Sequence, residues 1–205
     1  MYNYNLTEEI ARWAFEIKCI ESEDWFVAFT NPTAGPWKTI KGLDDEGKEG
    51  EVYRFGSKEP RPDIVLVSDR LQLIIIFEAK DSIGKLTASN QASKSIEVVN
   101  TLCEVLKSKT NNEYWGERAN YPVITGLLWG AETPSNQNKR DETFDEYHTE
   151  LENYSDIVKD IIIGIETRRD ENTLTCLLCA KVFNEVQDSC SLDELSESFN
   201  IPIIE

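Results

Sequence analysis

Hydrophobic and polar positions alternate along this chain in a readable order. Residues 7–21 carry Ile10, Trp13, Ala14, Ile17 and Ile20 at helical spacing, with Thr7 as N-cap and Glu8 and Glu9 in the first turn. The pattern predicts an amphipathic helix that buries those five residues. The apolar run Trp25–Phe29 predicts a short strand. Residues 31–50 are rich in Pro and Gly and carry Trp37 and the acidic Asp44-Asp45-Glu46, so they read as a long functional loop. Val52–Phe55 predicts another short strand.

Two clearer strands follow. Ile64–Val67 and Leu71–Phe77 are rich in β-branched residues and are separated by Ser68-Asp69-Arg70, which predicts an antiparallel hairpin. The second strand is apolar at every position from Leu73 to Phe77, as expected of a central strand covered on both faces. A helix is predicted over about 87–108, burying Ala92, Ile96, Val99, Cys103 and Leu106. Then come a strand at Val123–Trp129, a polar connection from Glu132 to Asp145, and a weak helix ending near Val158. Strands at Asp160–Ile165 and Leu174–Phe183 and a short helix at Leu192–Phe199 complete the pattern. The order predicts one α/β domain over residues 1–205, with a core at about 7–129 and a C-terminal extension over 141–205.

Composition removes several functional classes. No run approaches ~20 consecutive apolar residues, so no membrane span is expected. Met1–Asn5 lacks the basic-then-apolar layout of a signal peptide. The five cysteines are odd in number and scattered, which predicts reduced thiols and a cytoplasmic setting. Cys176 and Cys179 have CxxC spacing but lack two further zinc ligands nearby, so buried thiols are expected there. His148 is the single histidine and lies in an acidic segment, so sites built on two or three histidines are excluded and a solvated surface side chain is expected.

The hairpin carries the chemistry. It begins Arg61-Pro62-Asp63 and ends Glu78-Ala79-Lys80. In an antiparallel pair, the start of one strand lies beside the end of the other. With Ser68 and Leu71 flanking the turn, Asp63 is expected opposite the region of Ile76, one or two residues from Glu78. Glu78 and Lys80 stand two apart and point to one side of the sheet. Paired carboxylates at a buried strand end repel each other, and a divalent cation resolves the conflict. Magnesium suits one or two carboxylates with water and phosphate oxygens, and the Ala79 carbonyl offers a further ligand. Lys80 can then orient a metal-bound water or steady charge on a phosphate.

Pro62-Asp63, a gap of 14 residues, and Glu78-Ala79-Lys80 on a second strand resemble the PD-(D/E)XK nuclease superfamily. That superfamily includes many type II restriction endonucleases, junction resolvases and repair nucleases. The resemblance covers residues 7–129 and implies an αβββαβ core with a mixed central sheet flanked by helices. It implies that Asp63 and Glu78 hold Mg2+ and that Lys80 acts on the water. Family members often carry an acidic residue on the first helix, for which Glu9 and Glu16 are the candidates. Some carry a Gln early in the helix after the lysine, which Gln91 matches, although Ser95 stands where an aromatic residue accompanies it in the exonuclease branch.

Net charge complicates the partner. The chain carries 38 Asp plus Glu against 21 Lys plus Arg, a formal charge of −17. That argues against nonspecific coating of nucleic acid. Residues 52–94, however, sum to +2 and leave −19 for the rest. Lys85 and Lys94 are therefore the expected DNA phosphate contacts. Residues 31–50, 110–121 (with Tyr114, Trp115 and Arg118) and Asn136–Arg140 are candidate base readers. The expected function is a magnesium-dependent endodeoxyribonuclease, a type II restriction endonuclease or a subunit of one, acting as a homodimer or with a second subunit. The alternatives are a junction-resolving, repair or phage-defence nuclease, or a non-catalytic acidic protein-binding module on the same fold.

Overall fold

The computed structural model describes residues 7–30, 39–40, 53–54, 61–111, 115–131, 134–170, 173–184 and 191–204. Helix α1 (Glu8–Glu21) starts at Thr7, whose hydroxyl accepts the Ile10 N–H at 3.4 Å. The strands are β1 (Phe26–Thr30), β2 (Thr39–Ile40), β3 (Tyr53–Arg54), β4 (Ile64–Ser68), β5 (Leu73–Lys80), β6 (Val123–Ala131), β7 (Val158–Asp170) and β8 (Thr173–Val182). The remaining helices are α2 (Ile83–Leu86), α3 (Gln91–Lys107), α4 (Gln137–Leu151) and α5 (Leu192–Phe199).

Six strands form one mixed sheet in the order β1-β4-β5-β6-β7-β8. The pairs β5–β6 and β6–β7 are parallel, and the others are antiparallel. Strands β2 and β3 pair separately. The chain is therefore an α/β protein with an open mixed sheet and helices on both faces. One core packs Ile74, Ile76, Leu127 and Trp129 against α3 and α4. The other packs Ile75, Phe77 and Ala79 against Phe15 and Cys19 of α1 and Phe199 of α5. Strand β5 lies between them, so its apolar run is buried on both sides, at about 1.5–3 kcal/mol for each large side chain. Phe77 closes that run and packs flat over Gly126 on β6, where a Cβ would fall 2.5 Å from its ring.

Several expectations shift in detail. The β4–β5 hairpin forms, but its register pairs Ser68 with Leu73, two residues beyond the expected match. The turn is longer than Ser68-Asp69-Arg70 because Gln72 adopts φ 50°, in the left-handed region, before β5 begins. The shift moves Asp63 away from Ile76 and opposite Glu78. The helix expected over 87–108 is broken, since Ser89 and Asn90 have φ 52° and 61°. Its expected buried residues, Ala92, Ile96, Val99, Cys103 and Leu106, are all core.

Helix α1 buries a different face. Ala11, Arg12, Ala14, Phe15 and Cys19 are buried, while Trp13 and Ile20 are 60% and 73% exposed. Small residues allow the helix to sit close to the sheet, and Phe15 fills the space between by packing edge-on to Phe77 at 5.0 Å. The loop expected over 31–50 lies outside the described residues apart from β2, and so do Trp37 and Asp44–Glu46.

Among the described residues, no helix is long and apolar enough to cross a membrane. Cys19, Cys103, Cys176 and Cys179 are free and buried, and Cys190 lies outside the described residues. Burial pushes the Cys103 and Cys179 thiols up to about 12. His148 is less solvated than expected, because its ring stacks on Phe183 at 3.8 Å.

Candidate active site

The parallel strands β5 and β6 run side by side to the carboxyl end of the sheet, where ligands of open α/β sheets usually sit. Asp63 precedes β4 by one residue and is 5% exposed. Its N–H donates to the Phe77 carbonyl at 2.9 Å, which extends the hairpin ladder by one step. Its Oδ2 accepts the Ala79 N–H at 2.7 Å. The hairpin backbone thus fixes Asp63 beside the last residues of β5.

Glu78 and Lys80 project toward the α3–α4 side, since they pair with Leu127 and Trp129 on β6. The Lys80 ammonium donates to the Glu78 carboxylate and, at 2.8 Å, to the Ala79 carbonyl. Gln91, the first residue of α3, donates from Nε2 to Glu78 Oε1 at 2.7 Å and to Ser95 Oγ at 3.2 Å. Tyr147 of α4 braces this side, with its hydroxyl 3.2 Å from the Leu86 carbonyl and 3.3 Å from Ser95 Oγ. From the opposite face, α1 brings Glu8 within 3.9 Å of Lys80 and Arg12 within 3.8 Å of Asp63 Oδ1.

The electrostatics follow from this crowding. Burial, and then the neighbouring Asp63, raise the Glu78 carboxyl to about 7, although Lys80 opposes both. Burial also raises Glu8, assisted by Asp63 and Asp81 and opposed by Lys80. Burial alone would lower Lys80, but Glu78, Asp63 and Glu8 outweigh it and hold the ammonium more firmly protonated than usual. The site is a cluster of carboxylates that two cations leave incompletely balanced.

The residues suit a hard cation. Asp63, Glu78 and the Ala79 carbonyl offer the oxygen donors that magnesium prefers. Among the described residues, no group of three or more His, Cys, Asp or Glu gathers to hold a metal, so an ion here would rest on two carboxylates, backbone and water. The raised Glu78 carboxyl marks a local deficit of positive charge that such an ion would fill.

The other expected positions divide. Glu9 is exposed on α1. Glu16 accepts from the Thr30 hydroxyl and lies 3.9 Å from Arg12. Glu8, one position before Glu9, is the helix acid that reaches Lys80. Its signal was its placement one helical turn before Arg12, on the buried face. Lys85 pairs with Asp81 at 2.5 Å and is exposed, and Lys94 is exposed on α3.

Three candidate base readers are engaged within the fold. Trp115 is fully buried, Asn136 caps α4 through the Lys139 N–H at 3.2 Å, and Arg140 is buried and donates to the Ser135 carbonyl at 2.5 Å. Arg118 forms a forked pair with Asp69, with Nε at 2.7 Å. Tyr114 lies outside the described residues.

The chain matches no family model, no curated protein and no solved structure. The functional reading therefore rests on the residues and their geometry.

Proposed function

We propose that the chain is a magnesium-dependent endodeoxyribonuclease of the PD-(D/E)XK type, with the αβββαβ core of that superfamily. The carrying observation is the convergence of Asp63, Glu78 and Lys80, from separate sequence positions, at one end of the sheet. Asp63 and Glu78, with the Ala79 carbonyl, would hold the ion. A bound magnesium ion supplies Lewis-acid stabilisation and a more acidic water.

The chain's own groups do the rest. The Ala79 N–H fixes Asp63, and Gln91 fixes one oxygen of Glu78. Lys80 keeps its charge in this anionic site and can donate to the attacking water or to a phosphoryl oxygen. The free buried thiols agree with a cytoplasmic setting.

The role proposed is that of a type II restriction endonuclease or a subunit of one. Cutting both strands with one site per chain calls for a homodimer or a partner subunit. Incubation with magnesium and duplex, branched and single-stranded DNA tests the reading. Discrete fragments from duplex DNA support restriction, and cleavage confined to branched DNA supports junction resolution. If no substrate is cut, or if Asp63→Ala and Glu78→Ala cut as well as the parent, the nuclease reading fails.

A further inference from the structure

Arg12 is an unusual arginine. It is 7% exposed, yet its polar contacts are two ion pairs, 3.8 Å to Asp63 Oδ1 and 3.9 Å to Glu16 Oε1. Both lie beyond hydrogen-bond reach. Among the described residues, none accepts a hydrogen bond from its guanidinium. Its nitrogens are also not sealed, because the sealed side-chain atoms without a partner among the described residues are Asp81 Oδ1 and Thr125 Oγ1. The contrast with Arg140 is direct. That residue is as deeply buried, at 8%, and donates to the Ser135 carbonyl at 2.5 Å. A buried guanidinium normally has its donors engaged, since leaving them idle is costly. Arg12 therefore holds its donors beside the Asp63–Glu78–Lys80 cluster, ready for an acceptor that the described residues do not supply.

The acceptor must be an anion, and its arrival must be conditional. Glu8, Glu16, Asp63 and Glu78 surround Arg12 and Lys80, so carboxylates outnumber cations four to two. A second anion enters such a site poorly until positive charge is added. A planar, permanently charged guanidinium matches two oxygens of a phosphodiester. We propose that Arg12 is an oxyanion-binding residue that takes phosphodiester oxygens of the substrate strand once a divalent cation sits at Asp63 and Glu78. The inference rests on the nuclease reading and adds an order to it: cation first, nucleic acid second.

Arg12 and the cation are like charges beside the same carboxylate. Removing Arg12 therefore leaves cation affinity equal or tighter while severing its coupling to DNA. By linkage, DNA must raise cation affinity by the same factor as the cation raises DNA affinity.

The test measures calcium binding by calorimetry, calcium being another hard oxygen-seeking cation, and binding of labelled single-stranded, duplex and branched DNA by anisotropy with and without calcium. Parent, Arg12→Met and Arg12→Lys proteins are compared, with thermal melts as a folding control. In the parent, calcium is expected to strengthen DNA binding by about tenfold or more. In Arg12→Met, calcium binding persists and the enhancement falls below about twofold. Arg12→Lys, which keeps the charge without the fork, falls between them. If Arg12→Met does not fold, Arg12→Lys decides: a reduced enhancement supports the proposal and full enhancement overturns it. A folded Arg12→Met that keeps the enhancement overturns this inference alone, and one that loses calcium binding reassigns Arg12 to positioning Asp63. A parent that binds no calcium overturns the nuclease reading as well.

Discussion

Two glutamates at the same end of the sheet, Glu166 buried and Glu78 largely so, meet opposite fates. Glu166 on β7 neighbours Trp129 on β6, which neighbours Lys80 on β5. Its carboxylate accepts from Trp129 Nε1 at 3.1 Å, from the Ser135 N–H at 3.2 Å, from the Ser135 hydroxyl and from Arg168. Burial would raise its pKa, but donation from Ser135, Arg168 and Trp129 outweighs it, and the carboxyl lies below the ordinary glutamate value. Glu78 has Lys80 and Gln91 as donors, with Asp63 close by, and its carboxyl is pushed up to about 7. Burial acts on both. The difference lies in the neighbours: among the described residues Glu166 is surrounded by donors, whereas Glu78 has Asp63 beside it. A charge that the fold has fully satisfied is structural, whereas one left strained among other acids is where a cation and chemistry belong.

The sharpest way to break this contrast is to neutralise each glutamate in turn. Glu78→Gln is expected to lower magnesium-dependent cleavage by at least ~10³-fold, about 4 kcal/mol in barrier. Glu166→Gln, assayed well below its melting point, should stay within about threefold of the parent. Comparable losses in both would erase the distinction.

Stability should move the other way. Glu166→Ala leaves the Trp129 and Ser135 donors and Arg168 without their acceptor, and should cost about 3–5 kcal/mol in urea unfolding. Glu78→Ala removes a repelled charge and should cost less than about 1 kcal/mol in metal-free buffer.

The pH dependence carries opposite signs. The folded Glu78 carboxyl, at about 7, lies above its ordinary value of 4.5, so the folded state binds the extra proton between those values. Metal-free protein should therefore lose stability as pH rises from ~4.5 to ~7, by up to about 3 kcal/mol. Glu166 is depressed, so its contribution is present above the ordinary glutamate value and is lost as pH falls through the lower folded value. Glu78→Gln should flatten the first limb and Glu166→Gln the second, as read from urea midpoints across pH.

The smallest effect belongs to the bracing amide. Gln91→Ala removes one donor to Glu78 and should weaken cleavage by about 1 kcal/mol, roughly fivefold, with little change in the melt. A change in the melt without a change in rate would make Gln91 a packing residue.

Much of this was legible along the chain, for physical reasons. The central strand announced itself because Leu73–Phe77 must be apolar on both faces. The hairpin brought Asp63 and Glu78 together through strand geometry alone, although the exact opposition depended on the left-handed Gln72, which has no sequence mark of its own. The face of α1 was misjudged because large apolar side chains usually mark the core, whereas here Ala11, Ala14 and Cys19 give close approach and Trp13 stays outside. Arg12 was invisible because a buried arginine reads like any helix charge until Asp63, just before β4, is known to lie beside it. Glu166 was hidden likewise, since its partners come from Trp129 and Ser135, more than 30 residues upstream.

Asp63 and Glu78 are proposed to form a cation-dependent site for phosphodiester hydrolysis. The most direct measurement is DNA cleavage by the parent and by Asp63→Asn, with magnesium and with chelator. The parent is expected to cleave in magnesium only, and Asp63→Asn, with its melt preserved, is expected not to cleave. Cleavage that survives chelator, or that Asp63→Asn retains, would contradict it.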